Sequence, residues 1–294
     1  MVVSPLTIHR LPASFRRPVM ILAFSGWNDA AEAATTAARF LTGAWQAEKF
    51  AEIDPDEFFH FGLARPYVRF KAGSQTEREV IWPTTEFSLA QSPALPRDVI
   101  IGVSAEPHLR WKTYGGAVLE LARRCEVSLV LTLGALLSAV PHTKPVRLAG
   151  GASDPELAAR LGIRPTRYEG PTGIVGVMNT MCREAGVPAA SLWANVPHYI
   201  TGIENPKAAL ALVERVLAFL PAEVDVSDLA EGARQFDDNL REIVAQNAKI
   251  AAYVKKLEAS ETDEEPEPAD TGELPPASDL VAEMEQFLKQ QRPD

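Results

Sequence analysis

The residues of this chain whose types and positions offer chemistry are few, and each follows a short apolar run. Asn28 and Asp29 come after Val19–Phe24, and Glu106 comes after Val99–Val103. His142 and Thr143 come after the run that starts at Leu129, and His198 after Ser191–Val196. Carboxylates and imidazoles are general acids and bases. Gly170-Pro171-Thr172-Gly173 precedes a helical pattern, so the backbone N–H groups of Gly173 and Ile174 offer an anion site. With Trp27 on the first of these loops, the set defines a candidate ligand cleft: Trp27, Asn28, Asp29, Glu106, His142, Thr143, Gly170, Thr172, Gly173 and His198.

Each residue also has a plainer role open to it. Asp29, with Glu32 three residues on, has the spacing of a capping box at the start of an Ala-rich helix. Thr172 suits the N-cap of the helix from Gly173. The glycine loop lacks the lysine of a P-loop and the spacing of a dinucleotide fingerprint. No HxH, HExxH or Cys/His cluster supports a metal, and no cofactor is expected. Ser25-Gly26 lacks the flanks of a nucleophile elbow. Cys182 falls within an apolar helical pattern, where a cysteine packs as a small hydrophobe.

The elements that must position these residues alternate between short buried strands and helices. Helical patterns cover Ala30–Trp45, Gly115–Arg124, Asp154–Leu161, Gly173–Ala185 and Pro206–Leu220. Strand patterns cover the four runs above, with Arg167–Tyr168 a shorter extended piece. Phe58–Phe61, Tyr67–Phe70 and Glu79–Trp82 read as an antiparallel excursion. The alternation predicts an α/β fold over residues 1–220: a three-layer α/β/α sandwich with a mostly parallel sheet. Loops at the carboxyl ends of such strands collect along one edge, where ligands bind.

Beyond Pro221 the pattern changes. Leu229, Ala233, Phe236, Leu240, Ile243, Asn247, Ile250, Val254 and Leu257 recur at 4-3 spacing, predicting one heptad-patterned helix within 221–259 of roughly 44 Å. Val244, Ala251 and Tyr253 widen its apolar face beyond a single seam, so it suits either docking on the α/β body or self-association. Residues 260–277 are Glu, Asp and Pro with little that is apolar, which reads as an acidic disordered linker. In 278–294, Leu280, Val281, Met284, Phe287 and Leu288 share one face of a terminal amphipathic helix that needs something to dock on.

Composition bounds the function. The 294 residues are 46% hydrophobic and 23% charged, with a net charge of −10. From Glu258 onward there are 12 acids and two bases, leaving 27 of each in the first 257 residues. A neutral body with an acidic tail excludes a nucleic-acid footprint. Apolar runs are shorter than the ~20 residues of a membrane span, and two cysteines form no disulfide framework. A soluble, cytoplasmic protein with no membrane partner is expected.

Ser25-Gly26-Trp27-Asn28-Asp29-Ala30, Glu106-Pro107 with Trp111, Leu133-Gly134-Ala135 and Pro141-His142-Thr143 together resemble the proteasome assembly chaperone 2 family. So do Gly170-Pro171-Thr172-Gly173-Ile174, Pro197-His198-Tyr199 and Asn205-Pro206-Lys207-Ala208. The form is similar to the family's actinobacterial branch, and the resemblance spans roughly residues 5–220. It implies a phosphorylase-like sandwich with a smaller helical region, and a homo-oligomer, for which a trimer is favoured. It also implies a protein partner such as a proteasome component. Two departures accompany it: Ala31 replaces the family's usual glycine, and Gln291-Arg292-Pro293-Asp294 does not match the hydrophobic–Tyr–any ending of several members.

Two functions follow. One is a non-enzymatic, chaperone-like protein binder. The other is an enzyme or inactive ligand-binding protein acting on a nucleoside-like small molecule in the cleft. They differ in whether the polar side chains converge on one pocket or are each satisfied locally.

Overall fold

The computed structural model describes residues 4–165, 168–200 and 202–260. The acidic segment 260–277 beyond Ser260, the terminal amphipathic segment with Leu280, Met284, Phe287 and Leu288, and Arg167 lie outside the described residues. The chain runs β1 (Leu6–Ile8), β2 (Val19–Ser25), α1 (Ala33–Ala44), β3 (Glu48–Ile53), β4 (Tyr67–Phe70), β5 (Arg78–Ile81) and β6 (Thr85–Ala90). It continues β7 (Val99–Ala105), α2 (Trp111–Arg124), β8 (Leu129–Ser138), β9 (Leu148–Ala152), α3 (Pro155–Leu161) and β10 (Arg164–Pro165). Then come α4 (Ile174–Glu184), β11 (Ala189–Pro197), α5 (Pro206–Phe219), α6 (Ser227–Gln246) and α7 (Ala248–Ser260).

Nine strands form one sheet in the order β1-β3-β6-β7-β2-β8-β11-β9-β10. Its centre, β7-β2-β8-β11, is parallel throughout, while β6, β3 and β1 extend one side antiparallel. Strand β2 shows why the sandwich has three layers. Val19, Ile21 and Ala23 pack into one core with α1, α3 and α5, while Met20, Leu22 and Phe24 pack into the other with α2 and α4. A strand buried on both faces has no polar positions to alternate, hence its continuous apolar run.

Several local expectations differ from the structure. Phe58–Phe61 is not a strand: the N–H groups of Phe58 and Phe59 both donate to Pro55 O, winding a turn that buries Phe58 against Tyr114. The strands β3, β6 and β9 fall where no strand was expected. In β9 the antiparallel neighbour comes so close that a Cβ on Gly150 would lie 1.9 Å from the Ser191 carbonyl oxygen, so only glycine fits. The single heptad helix is two helices. Asn247 leaves the helical conformation (φ −128°, ψ 102°), and its Oδ1 accepts from the N–H groups of Lys249 and Ile250 to start α7. An asparagine competes for backbone bonds in this way, which turns a register residue into a helix cap.

The first helix also starts differently. Ala31 (φ 54°) and Glu32 (φ 53°) are both left-handed, in a short 3₁₀ turn before α1. A Cβ is strained there by about 1 kcal/mol per residue. Ala31→Gly is therefore expected to stabilise the protein by about 1 kcal/mol, raising the melting temperature by a few degrees in a thermal unfolding scan. No shift, or a fall, would mean that the left-handed turn is not strained.

Candidate functional site

Asn28 and Asp29, Glu106, His142 and Thr143, and His198 follow the ends of β2, β7, β8 and β11, the four adjacent parallel strands. Topology brings them to one edge. Their side chains, however, are divided between two separate knots and, for Asp29, the cap of α1.

The first knot ties the β2 and β7 loops to α4. Asn28, fully buried, donates through Nδ2 to Glu106 Oε1 at 2.6 Å, and the Ile174 N–H donates to the same oxygen at 2.7 Å. Glu106 thus does what Thr172 was expected to do. The N-cap position is Gly173, without a side-chain bond of its own, and Thr172 is exposed with Gly170. A Cβ on Gly173 would sit 2.2 Å from Asn28 Oδ1 and 2.7 Å from Glu106 Oε1. The glycine is there so that loop and carboxylate can touch. An acid already occupies this helix end, which removes the attraction for an external anion. Asn28 Oδ1 has no hydrogen-bond partner among the described residues.

Asp29 points the other way. Its carboxylate accepts from the Ala34 N–H at 2.6 Å, the Thr35 N–H at 3.2 Å and the Thr35 hydroxyl at 2.5 Å. It caps α1 across the left-handed pair rather than through a capping box with Glu32. Burial raises its pKa above the usual carboxylate range, while the bonds from Thr35 and Ala34 pull it back. With the residue 5% exposed and both oxygens accepting, it presents no base to solvent. Trp27 beside it is 64% exposed.

The second knot holds the C-terminal helices. The His142 N–H donates to the Tyr199 hydroxyl oxygen at 2.8 Å, and that hydroxyl lies 2.7 Å from His142 Nδ1. The hydroxyl, with one proton and two lone pairs, accepts from the amide and makes its second hydrogen bond with Nδ1. Nε2 has no partner among the described residues. His142 lines a cavity of about 20 Å³, the room of a single water and far below a ligand site. His198 Nδ1 donates to Ser138 O at 3.0 Å, leaving Nε2 to accept from the Tyr253 hydroxyl at 2.9 Å. Thr143 Oγ1 donates to Glu258 Oε1 at 2.5 Å. Tyr253 and Glu258 both lie on α7.

Around these bonds Tyr199 and Ile200 pack with Phe236, Leu240, Ile243, Ile250, Val254 and Leu257. Leu229 packs instead against the core beneath α5. The heptad face is thus covered by the chain's own body. Lys207 closes the arrangement, donating to His142 O at 2.6 Å and pairing with Asp237 of α6 at 2.9 Å. Asn205 caps α5 through the Ala208 N–H at 2.9 Å. Sequence reasoning missed Lys207, Tyr199 and Glu258 as partners. Tyr253 had left a trace, as an aromatic where an exposed seam carries charge. Cys182 is fully buried, and burial pushes its thiol up to about 11, which leaves it no thiolate.

Central parallel strands, helices on both faces and a docked helical pair define an α/β/α sandwich with a C-terminal helical region. The chain belongs to the PAC2 family, whose model matches residues 23–244. It is similar to a PAC2 family protein from Streptomyces avermitilis, 41% identical, with a TM-score of 0.74 over 81% of this chain and 99% of the other. It is likewise similar to a proteasome-assembly chaperone homologue from Mycobacterium tuberculosis, 40% identical, with a TM-score of 0.73 over 80% of this chain and 99% of that one. An archaeal proteasome activator from Pyrococcus furiosus shares the fold at 21% identity, with a TM-score of 0.64 over 81% of this chain and 97% of that one. No curated protein matches the chain. Among the described residues no helix is long and apolar enough to cross a membrane.

Proposed function

We propose that this protein is a chaperone-like binder of other proteins, assembling as a homo-oligomer in the cytoplasm and contacting a partner such as a proteasome component. The observation that carries this is the commitment of the polar loop residues. Asp29 caps α1, Glu106 ties Asn28 to α4, and His198 is bonded at both nitrogens. A catalytic group must face a reacting atom, and these face their own chain. Membership of the family supports the same reading, as does the chaperone homologue at 40% identity.

The test mixes the full chain with purified proteasome α-subunits of the same organism and follows co-migration on size exclusion. A complex of fixed stoichiometry supports the proposal. No complex, or turnover of a nucleoside-like substrate that Asp29→Asn abolishes in folded protein, overturns it.

A further inference from the structure

Among the described residues ten large apolar side chains are exposed, and six of them, Leu63, Tyr67, Val68, Phe70, Val80 and Trp82, fall within twenty residues. Tyr67, Val68, Phe70 and Val80 sit on β4 and β5, which form a two-stranded sheet outside the main one, and Leu63 and Trp82 flank it. The pairs Tyr67↔Ile81, Val68↔Val80, Arg69↔Glu79 and Phe70↔Arg78 fix which side chains share a face. Tyr67 and Ile81 point one way, Val68, Val80 and Phe70 the other. Every residue of β4 is exposed, and in β5 only Glu79 and Ile81 are half-buried, so the face that carries Val68, Phe70 and Val80 is open. A lone hairpin is marginal in water, and its two unpaired edges invite another chain.

We infer that the β4–β5 arm is the surface through which one copy of this chain grips a second copy. Three observations favour that occupant. The arm's charges are already paired within it: Arg69 with Glu79 at 2.7 Å, Lys71 with Glu77 at 3.0 Å, and Arg78 over the Phe70 ring at 4.9 Å. What remains is apolar, as in contacts between identical subunits rather than charge-steered encounters. Tyr67, Val68, Phe70 and Val80 leave about 400 Å² uncovered over the arm's two faces, about half of the ~800 Å² that one partner gives a standard interface, which is the apolar centre that a clasp between two copies needs. The other apolar face that suited self-association, on α6 and α7, is covered by Tyr199 and Ile200 of the same chain. The arm therefore supplies the contact between copies, and the heptad face does not.

This inference rests on the homo-oligomeric part of the proposed function, and the experiment separates the two. Light scattering on the wild-type chain and on the double variant Val68→Glu, Phe70→Glu reads the mass at micromolar concentration. The expected result is a multiple of one chain for the wild type and a single chain for the variant. The circular dichroism spectrum should stay unchanged, since neither side chain joins a core cluster, while the melting temperature loses its dependence on protein concentration together with the self-association. A monomeric wild type sinks both readings. A variant that keeps the wild-type mass sinks the arm alone.

A second measurement holds even if the variant misfolds. Cys125 and Cys182 are fully buried, so in Gln75→Cys a thiol-directed photocrosslinker labels the exposed arm tip. Irradiation of the pure protein is expected to give chain-to-chain adducts. Adducts formed only within one chain would overturn the inference, as would adducts that require an added foreign protein.

Discussion

Glu106→Ala is expected to lower the free energy of unfolding by about 3 kcal/mol, whereas Glu106→Gln should cost less than about 1 kcal/mol. The contrast follows from which atom does the accepting. Both donors, Asn28 Nδ2 and the Ile174 N–H, converge on Oε1. Alanine removes that oxygen and leaves the amide of a fully buried asparagine, whose Oδ1 already lacks a partner, with no hydrogen bond at either end. It also strips the first turn of α4 of its acceptor. Glutamine keeps an oxygen with two lone pairs and loses only the charge assistance. Urea unfolding reads the result as a shift of midpoint at constant m. A small loss with alanine would show that the knot holds nothing. In that case Glu106 would be a carboxylate kept for something other than structure, and the enzymatic reading would return. Gly173→Ala should resemble the alanine variant, because its Cβ would drive the same two groups apart.

That result bears on why the fold was legible in the sequence while the site was not. The four central strands announce themselves because burial on both faces leaves no alternative to an apolar run. Asp154-Pro155 announces α3 because a cap and a proline act locally, and Asp154 indeed accepts from the Leu157 N–H at 2.8 Å. Strand β3 is different. Its sequence, Glu48 to Ile53, mixes charges with apolar residues because its outer half is exposed. The polar residues after the strands lie on loops that follow four adjacent parallel strands. Apart from Asp29, their roles depend on contacts 55 to 115 residues away, as between His198 and Tyr253 or Thr143 and Glu258, and no local pattern carries that information. The capping box at Asp29 failed for a related reason. Two left-handed residues move the helix start by three positions, and Ala31 has no sequence signature for a conformation that glycine normally signals. Asn247 falls on the 4-3 repeat, yet its side chain bonds its own backbone instead of a neighbour across a seam.

Acid should weaken the protein through His142. Burial, with the Lys207 ammonium adding to it, lowers this imidazole from 6.5 to about 4. Asp237 and Glu258 oppose the shift from α6 and α7, and Arg241 reinforces it. The sign is that of a base whose folded pKa is depressed. Above pH 6.5 both folded and unfolded states are neutral at this site, and the full stability is present. Between 6.5 and about 4 the unfolded chain takes a proton that the folded chain refuses, so stability falls as the pH drops and levels off below about 4. The shift corresponds to about 3 kcal/mol by pH 4. Since His142 is 5% exposed, solvent does little to reduce it. Wild type and His142→Gln, which keeps an acceptor for the Tyr199 hydroxyl, should differ in unfolding free energy by about 3 kcal/mol less at pH 4 than at pH 7. An equal gap at both pH values would show that the histidine protonates freely. Should the variant not fold, an imidazole NMR titration of the wild type reads the same quantity, and a midpoint near 6.5 would refute the argument. Because His142 packs on Tyr199, which in turn packs on Tyr253 of α7, its protonation should loosen α7 before the sheet. Hydrogen exchange should rise first at Val254 and Leu257.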